Sequence, residues 1–395
     1  YIGKRDKINV TMYVDTQELD KVVVIAYGSV KKSDLTGSVS SVDMKDIKDV
    51  PVSSVDLALQ GRIAGADIMS TTGEPGATTS IRIRGTRSIS ATNEPLIVVD
   101  GVIDGISDLN DVNPSDIASI SVLKDASATA IYGSRGSNGV IVITTKTGSS
   151  NAGRPSVTLR ADAGFSHLPR QIDVMDATEF AQFRNDYALV STSDNYSDIT
   201  STTPLSKYPY PNPLSYGKGT NWMDEVTRVA PYQNYDLSVS GKNKNTSYFA
   251  SFGFNDNQGI IDKSGLKRLS ARFNIHHSFN KWLKVGLNQN YTYRDQLLNQ
   301  ASLTGTSWWS AAIFLSPMIK AYSNFNELWY SGQKFNSPRT LIEMCERERV
   351  SRSMNTSGYV ELTPVKGLRL KSQFTYNTYD QAENSFRQGT LTARK

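Results

Sequence analysis

Apolar and polar residues alternate over long stretches between residues 155 and 395. In the stretch 269–275, apolar side chains occupy every second position, and Arg272 and Asn274 lie between them. A period of two over about ten residues predicts a strand, and a polar second face is typical of strands in membrane barrels. The pattern predicts about seven strands. Its clearest examples are 157–165, 235–239, 248–254, 269–275, 283–293 and 368–376.

The segments that connect these strands are alternately short and long. The predicted tight turns are 242–245, 280–281 and 364–366. The predicted long connections are 166–231, 256–267 and 295–351. Outer-membrane barrels have short periplasmic turns and longer outer loops, so the alternation favours a barrel over a soluble sandwich.

The region 50–147 has a different, mixed pattern. Residues 54–61 predict a capped helix that ends at a glycine, and 126–132 predict a second short helix. Short apolar runs closed by turn residues predict strands between and after them. These runs are 81–85, 96–101, 121–124 and 139–145. We interpret the region as a compact α/β domain of common size.

A short hydrophobic strip, residues 22–27, precedes this domain and is followed by a polar stretch. An apolar strip with no adjacent pattern to pack against is a candidate for adding a strand to another protein's sheet edge. An ordinary short strand within the chain's own fold is the alternative.

Composition narrows the function classes. The single cysteine, Cys345, excludes an internal disulfide framework and a Cys-based zinc site. A net charge of +5 over 395 residues attracts nucleic acid only weakly, so the composition argues against nucleic acid binding. No apolar run reaches the length of about 18 residues that a membrane helix needs.

Several apparent chemical motifs fail on spacing. The acids Asp100, Asp104, Asp108 and Asp111 are not spaced as in a calcium loop, so we interpret them as a solvated loop. The glycine repeat formed by Gly133, Gly136 and Gly139 does not contain the Gly-x-Gly sequence with which a dinucleotide-binding loop begins. No Gly-x-Ser-x-Gly elbow is present. We therefore expect no enzyme activity, no metal and no cofactor.

Four stretches together resemble a known family. Residues 20–28 resemble the TonB box, and 57–65, 81–101 and 120–145 resemble the plug, of SusC/RagA-type TonB-dependent outer-membrane transporters. Residues 155–395 match the family only in their alternation of apolar and polar residues. The resemblance implies the following division of the chain: 1–19, the end of a preceding small β-domain and linker; 20–28, the TonB box; 29–49, a linker; 50–148, the plug; 155–395, the first part of the barrel with long extracellular loops.

The resemblance implies a mainly β fold, a transmembrane antiparallel β-barrel with an α/β plug in its lumen. A complete barrel of this width has about 22 strands. It also implies TonB-dependent import of a large nutrient, an oligosaccharide or peptide, across the bacterial outer membrane. The partners implied are TonB with its inner-membrane motor, outer-membrane lipid and a SusD-like surface lipoprotein as a lid. The residues expected to bind TonB are Lys21, Val22, Val23, Val24, Ile25, Ala26, Tyr27 and Gly28.

Substrate contacts are expected from plug loops that face the outer mouth. Arg84 and Arg87 could donate to sugar hydroxyls or peptide carbonyls, or could instead form salt bridges from plug to barrel wall. Trp308, Trp309 and Trp329 could stack on sugars, pack against a lid or form a small loop core. The candidate contact residues are Thr72, Glu74, Arg84, Arg87, Ser88 and Asn93.

Two other functions fit the same patterns. The first is a TonB-linked surface receptor that binds ligand or signals without import. The second is a secreted soluble β-rich protein with carbohydrate-binding or hydrolytic activity. Deletion of the strip tests the first, and solubility without detergent tests the second.

Overall fold

The computed structural model describes most of the chain, and strands dominate it. Within the described ranges, no helix has both the length and the apolar character needed to cross a membrane. The predicted preceding domain, 1–19, lies outside the described residues. The described residues are 22–25, 28–31, 39–43, 54–70, 72–86, 88–89, 92–106, 108–148, 154–190, 200, 202–298, 308–319, 328–330, 333–335, 337–343 and 345–387.

Eighteen strands and six α-helices are assigned in these residues. The strands are β1 (Val22–Ile25), β2 (Gly28–Lys31), β3 (Val39–Asp43), β4 (Ala66–Ser70), β5 (Thr79–Ile83), β6 (Leu96–Val99), β7 (Val102–Ile103), β8 (Ile117–Leu123), β9 (Val140–Thr145), β10 (Ser156–Ser166), β11 (Ala230–Lys242), β12 (Thr246–Gln258), β13 (Gly265–Ser278), β14 (Leu283–Leu297), β15 (Leu328–Tyr330), β16 (Gln333–Phe335), β17 (Cys345–Val365) and β18 (Leu368–Arg387). The helices are α1 (Val55–Leu59), α2 (Ala126–Thr129), α3 (Ala177–Val190), α4 (Trp222–Val226), α5 (Trp308–Phe314) and α6 (Pro338–Glu343).

The N-terminal α/β region, here called the plug, is built on a five-stranded sheet of order β3-β8-β9-β6-β7. Its first strand, β3, lies within the stretch 29–49 that the family resemblance implied to be a linker. A separate pair, β4 and β5, and helix α1 cover one face. The central strands are apolar on both faces, and buried residues such as Ile120 and Ile143 pack against Val55 and Leu59 of α1.

The C-terminal region forms one antiparallel sheet of seven strands, here called the wall, in the order β10-β11-β12-β13-β14-β17-β18. The predicted mainly β fold with a large antiparallel sheet and an α/β plug is therefore confirmed. Every neighbouring pair is antiparallel, so the chain passes up and down the sheet. In the described residues, helices and the small hairpin β15–β16 lie between its strands.

The register separates the wall into an apolar and a polar face. Directly opposite residues form rows across the strands, because side chains at one level of an antiparallel sheet share a face. One row is apolar, with Leu237, Phe252, Ala271, Tyr291 and Met354. The next row is polar, with Ser238, Ser251, Arg272, Asn290 and Asn355.

The connections are of two lengths at the two ends of the wall. One end carries the turns 243–245, 279–282 and 366–367, and the other carries the segments 167–229, 259–264 and 298–344. The prediction that 256–267 is long was wrong, because β12 and β13 continue their pairing to Gln258 and Gly265. Likewise β17 begins at Cys345, inside the segment predicted as a long loop.

Candidate functional site

The predicted TonB box folds locally into a hairpin. Strand β1 pairs with β2, and its register runs from Val22 opposite Lys31 to Ile25 opposite Gly28. The two strands form a sheet of their own, so in the described part of the chain the second edge of β1 pairs with no strand. Lys21, Ala26 and Tyr27 lie outside the described residues.

The plug lies on the polar face of the wall and is held there by buried ion pairs. Arg294 of β14 is 7% exposed, and its Nη1 lies 2.8 Å from Asp108 Oδ2 while its Nε lies 3.0 Å from Asp111 Oδ1. Arg272 of β13 is 3% exposed, and its Nε lies 3.4 Å from Asp116 Oδ2. Because each side chain belongs to a different unit, these pairs join the plug to the wall.

Burial determines the electrostatics of this contact. Desolvation raises the pKa of Asp111 to about 6, although the neighbouring Arg294 lowers it. Desolvation likewise raises the pKa of Asp116 against the effect of Arg272. The arginines therefore compensate carboxylates that would otherwise lose their charge on burial.

Further hydrogen bonds extend the contact along the wall. Asn113 Nδ2 donates to Asp236 Oδ1 at 2.6 Å, and Thr292 Oγ1 donates to the Asp111 carbonyl at 2.7 Å. Towards the short turns, Asn274 Nδ2 donates to the Lys146 carbonyl at 2.9 Å. Towards the long connections, Gln296 Nε2 donates to the Pro75 carbonyl at 2.8 Å. The plug is thus attached at several levels by polar groups.

The acids of this contact correct one sequence interpretation. The loop that carries Asp100, Asp108 and Asp111 was interpreted as solvated, yet Asp111 is fully buried and all three acids face wall arginines. The sequence could have suggested this from the unusual arginines on the predicted inner face of β13. Nothing local to Asp111 or Arg294 marks them as partners.

The arginines of the plug behave differently from either expectation. Arg84 forms a salt bridge with Asp125, which is also in the plug. Asp104 is paired with Arg135, again within the plug. Salt bridges between plug and wall do exist, but their arginines come from the wall. Arg87 lies outside the described residues.

The remaining predicted substrate residues do not form one cluster. Glu74 lines a cavity of about 180 Å³ beside the end of β12, and Thr72 lies two residues before it in the same loop. Ser88 and Asn93 instead close a loop of their own, since Ser88 N donates to Asn93 Oδ1 and Asn93 Nδ2 donates to the Ser88 carbonyl. The side chains of Trp308, Trp309 and Trp329 lie outside the described residues.

The opposite face of the wall is apolar and exposed. Large side chains such as Leu237, Phe252 and Phe273 stand on it, and Phe252 is 50% exposed. A soluble sheet would cover such a face with a second layer, whereas a lipid-facing strand leaves it open to hydrocarbon.

Comparison with known proteins agrees with this arrangement. The sequence family described as TonB-dependent Receptor Plug Domain matches residues 31–140. The TonB-dependent receptor SusC of Bacteroides thetaiotaomicron is 37% identical over 344 residues, which are 84% of this chain and 32% of SusC. A TonB-dependent receptor of Formosa agariphila is 35% identical over 390 residues, which are 98% of this chain and 38% of that receptor. The chain thus spans less than two-fifths of the length of these relatives.

Solved structures lead to the same group. The structure of the RagAB peptide importer in its open-open state aligns with 95% of this chain and 44% of the solved chain, with a TM-score of 0.76 and 28% identity. The ferric citrate transporter FecA shares the fold at a TM-score of 0.56 and 11% identity. With a plug on the polar face of an outwardly apolar sheet, the chain belongs to the SusC/RagA type of TonB-dependent outer-membrane receptors.

Proposed function

We propose that this chain is the N-terminal part of an active importer of a large nutrient, an oligosaccharide or a peptide, across the bacterial outer membrane. The chain supplies the TonB box, the plug and the first strands of the barrel. The observation that carries the proposal is the plug held on the polar inner face of the wall by Arg272 and Arg294. A plug held on the polar face of the wall supports a gated pore rather than a sheet that only binds ligand.

The chemistry of the contact suits a plug that moves. Each hydrogen bond contributes only about 0.5–1.5 kcal/mol net, because water replaces the partner when the bond opens. A pull delivered through β1 therefore separates polar groups that water can solvate rather than one large apolar surface. TonB delivers that pull by adding a strand to β1, with main-chain hydrogen bonds between the two proteins.

The proposed partners follow from the family and from the geometry. The long connections lie at the outer end, where a SusD-like lipoprotein acts as a lid, and TonB approaches from the short-turn end. The relatives are named as receptors and the solved neighbour as a peptide importer, which supports transport rather than catalysis.

Deletion of 21–28 from the full-length protein in its own bacterium tests the proposal. We expect uptake of a labelled ligand to stop while ligand still binds at the cell surface. Uptake that persists would overturn the coupling role of the box. A protein that signals or binds without importing would show no uptake in either form, which would support the surface-receptor alternative.

Purification in mild detergent tests the membrane location and the lid together. We expect the full-length protein to need detergent and to carry a lipoprotein that mass spectrometry identifies. A chain that stays soluble and monodisperse without detergent would instead support a secreted β-rich protein.

A further inference from the structure

Each of the three short turns of the wall carries one lysine. Lys244 lies in the turn between β11 and β12, Lys281 in the turn between β13 and β14, and Lys366 in the turn between β17 and β18. All three residues are exposed. The sequences of these turns contain no aspartate or glutamate. The short-turn end of the wall therefore carries a positive charge at each of its turns.

The order of the strands fixes the spacing of these charges. Neighbouring strands lie about 4.8 Å apart, and the three turns join successive pairs in the order β11-β12-β13-β14-β17-β18. Successive turns are therefore about 10 Å apart along the edge of the sheet. Because the lysine side chain is long and flexible, each ammonium group reaches beyond its own turn. The three lysines thus form a row of cations along this edge.

The outward apolar face of the wall extends to these turns. Leu283 lies opposite Leu362, and Leu362 lies opposite Leu370, in an outward row next to the turns. Phe279 and Trp282 are exposed within the turn between β13 and β14. Tryptophan is enriched at the boundary between hydrocarbon and lipid headgroups. A membrane that covers the apolar face therefore places the lysines at the level of its headgroups.

Glu361, an acid near this end of the wall, does not neutralise the row. It lies six residues after Asn355 in β17, so both side chains share the polar inner face. There Glu361 lies opposite Lys284 and Lys371, and its Oε1 is 3.6 Å from Lys284 Nζ. Among the described residues, the three turn lysines have no salt-bridge partner. Their charge is therefore available to an external anion.

The outward face has a different charge pattern near the long-connection end. There Asp256 lies opposite Lys267, and Lys267 lies opposite Asp295. Lys267 is six residues before Phe273 in β13, so this row faces outward with the apolar side chains. One lysine between two acids gives this row no excess of positive charge. The row of cations is thus a property of the short-turn end.

We infer that the short-turn end of the wall binds anionic phospholipids of the periplasmic leaflet, with Lys244, Lys281 and Lys366 contacting their phosphodiester headgroups. The net negative headgroup of phosphatidylglycerol complements the row better than the zwitterionic headgroup of phosphatidylcholine. Each lysine should favour the anionic lipid about fivefold. The inference rests on the membrane location in the proposed function and specifies the class of lipid that the wall selects there.

Lipid titrations of the full-length protein in detergent test the inference. Phosphatidylglycerol and phosphatidylcholine are added separately, and native mass spectrometry resolves the lipid molecules bound to each protein. We expect phosphatidylglycerol to bind about fivefold more tightly. The triple variant with Lys244→Gln, Lys281→Gln and Lys366→Gln should bind the two lipids equally. Arginine at the same three positions should preserve the preference, because it preserves the charge.

A second triple variant controls for net charge. Lys207→Gln, Lys218→Gln and Lys267→Gln remove three exposed lysines near the long-connection end and should leave the lipid preference unchanged. Substitutions of exposed lysines usually change stability little, so both triple variants should fold. Equal affinity of the unsubstituted protein for the two lipids, a preference that survives glutamine at the three turns, or an equal loss in the control would each overturn the inference.

Peptidoglycan, an anionic polymer of the periplasm, is the competing occupant of the row. Cosedimentation of the full-length protein with purified peptidoglycan tests it. Peptidoglycan binding that the three turn substitutions abolish, together with equal affinity for the two lipids, would overturn the inference and assign the row to the cell wall.

The lipid measurement is independent of transport. Deletion of the box leaves the short turns unchanged, so the lipid preference should persist in a protein that takes up no ligand. A preference for phosphatidylglycerol without uptake in intact cells would support this inference and overturn import. Box-dependent uptake with equal affinity for the two lipids would support import and overturn the lipid assignment. A full-length protein that stays soluble without detergent would overturn both.

Discussion

Arg294 Nε of the wall lies 3.0 Å from Asp111 Oδ1 of the plug, and both side chains are almost completely removed from solvent. The pair joins two units whose sequences are far apart: the neighbouring contact, from Arg294 to Asp108, spans 186 residues. A buried pair of this kind is expensive to break from one side, because the remaining charge loses both water and its partner.

We expect Arg294→Met to destabilise the plug by about 3–5 kcal/mol at a pH above the pKa of Asp111, since the buried Asp111 and the partly buried Asp108 then lose their shared cation. Denaturant unfolding of the full-length protein in detergent measures this, with the plug followed by protease susceptibility. Arg352→Met is the matched control, because the Arg352–Asp380 pair is exposed and should contribute less than about 1 kcal/mol. Equal losses in the two variants would contradict the role of burial.

The plug should become less stable as pH rises through about 6. Burial raises the pKa of Asp111 to about 6, so between pH 3.8 and this value the folded state holds a proton that the unfolded state has released. The stabilisation that this bound proton provides is fully present below the pKa of Asp111 in the unfolded state. It is lost as pH rises through the pKa of Asp111 in the folded state. It amounts to at most roughly 3 kcal/mol. Asp111→Asn should remove this component, and an unchanged pH profile would contradict it.

A proline in β1 should abolish coupling to TonB. Proline has no main-chain N–H to donate to an added strand. Val24→Pro should therefore stop uptake, while Val24→Thr should not. Ser29→Pro places the same ring in β2, opposite Val24, and should leave uptake intact, because the main chain of β1 is unchanged. Labelled-ligand uptake in whole cells measures all three, and loss of uptake in Ser29→Pro would assign the function to the hairpin rather than to β1.

Gly139 should tolerate no side chain. Its φ of +92° is unfavourable for other residues, and an added Cβ would lie 2.7 Å from Ile83 Cδ1 in the plug core. We expect Gly139→Ala to destabilise the plug by about 2–4 kcal/mol from backbone strain and overpacking together. At Gly61, φ is +72° but a Cβ meets no atom within 4 Å, so Gly61→Ala should show only the backbone part, about 1–2 kcal/mol. Similar losses in both variants would contradict the packing argument.

Much of the wall could be predicted from the chain. The alternation in 269–275 correctly separated the inner Arg272 and Asn274 from the outer Phe273, because side-chain direction in a strand depends only on residue parity. The ends of the strands could not be predicted from this alternation. Pairing continued to Gln258 and Gly265 through polar residues, since a ladder is held by main-chain groups whatever the side chains are.

The candidate site was predictable only in part. The strip 22–25 stands out by composition, but the apolar pattern does not reveal its pairing with β2. The arginine contact between plug and wall was expected from Arg84 and Arg87, whereas the structure forms it from Arg272 and Arg294. Either choice is compatible with the sequence, because charge alone does not specify a partner.

The sequence by itself determined the two regions and the two faces of the wall strands that it predicted. These features follow from local geometry, in which a residue's neighbours along the chain decide its conformation. Only the tertiary structure decided that Asp111 is buried against Arg294 and that Asp56 and Thr79 line one cavity. Those relationships join residues distant in the chain, and burial and ion pairing depend on which surfaces meet rather than on local pattern.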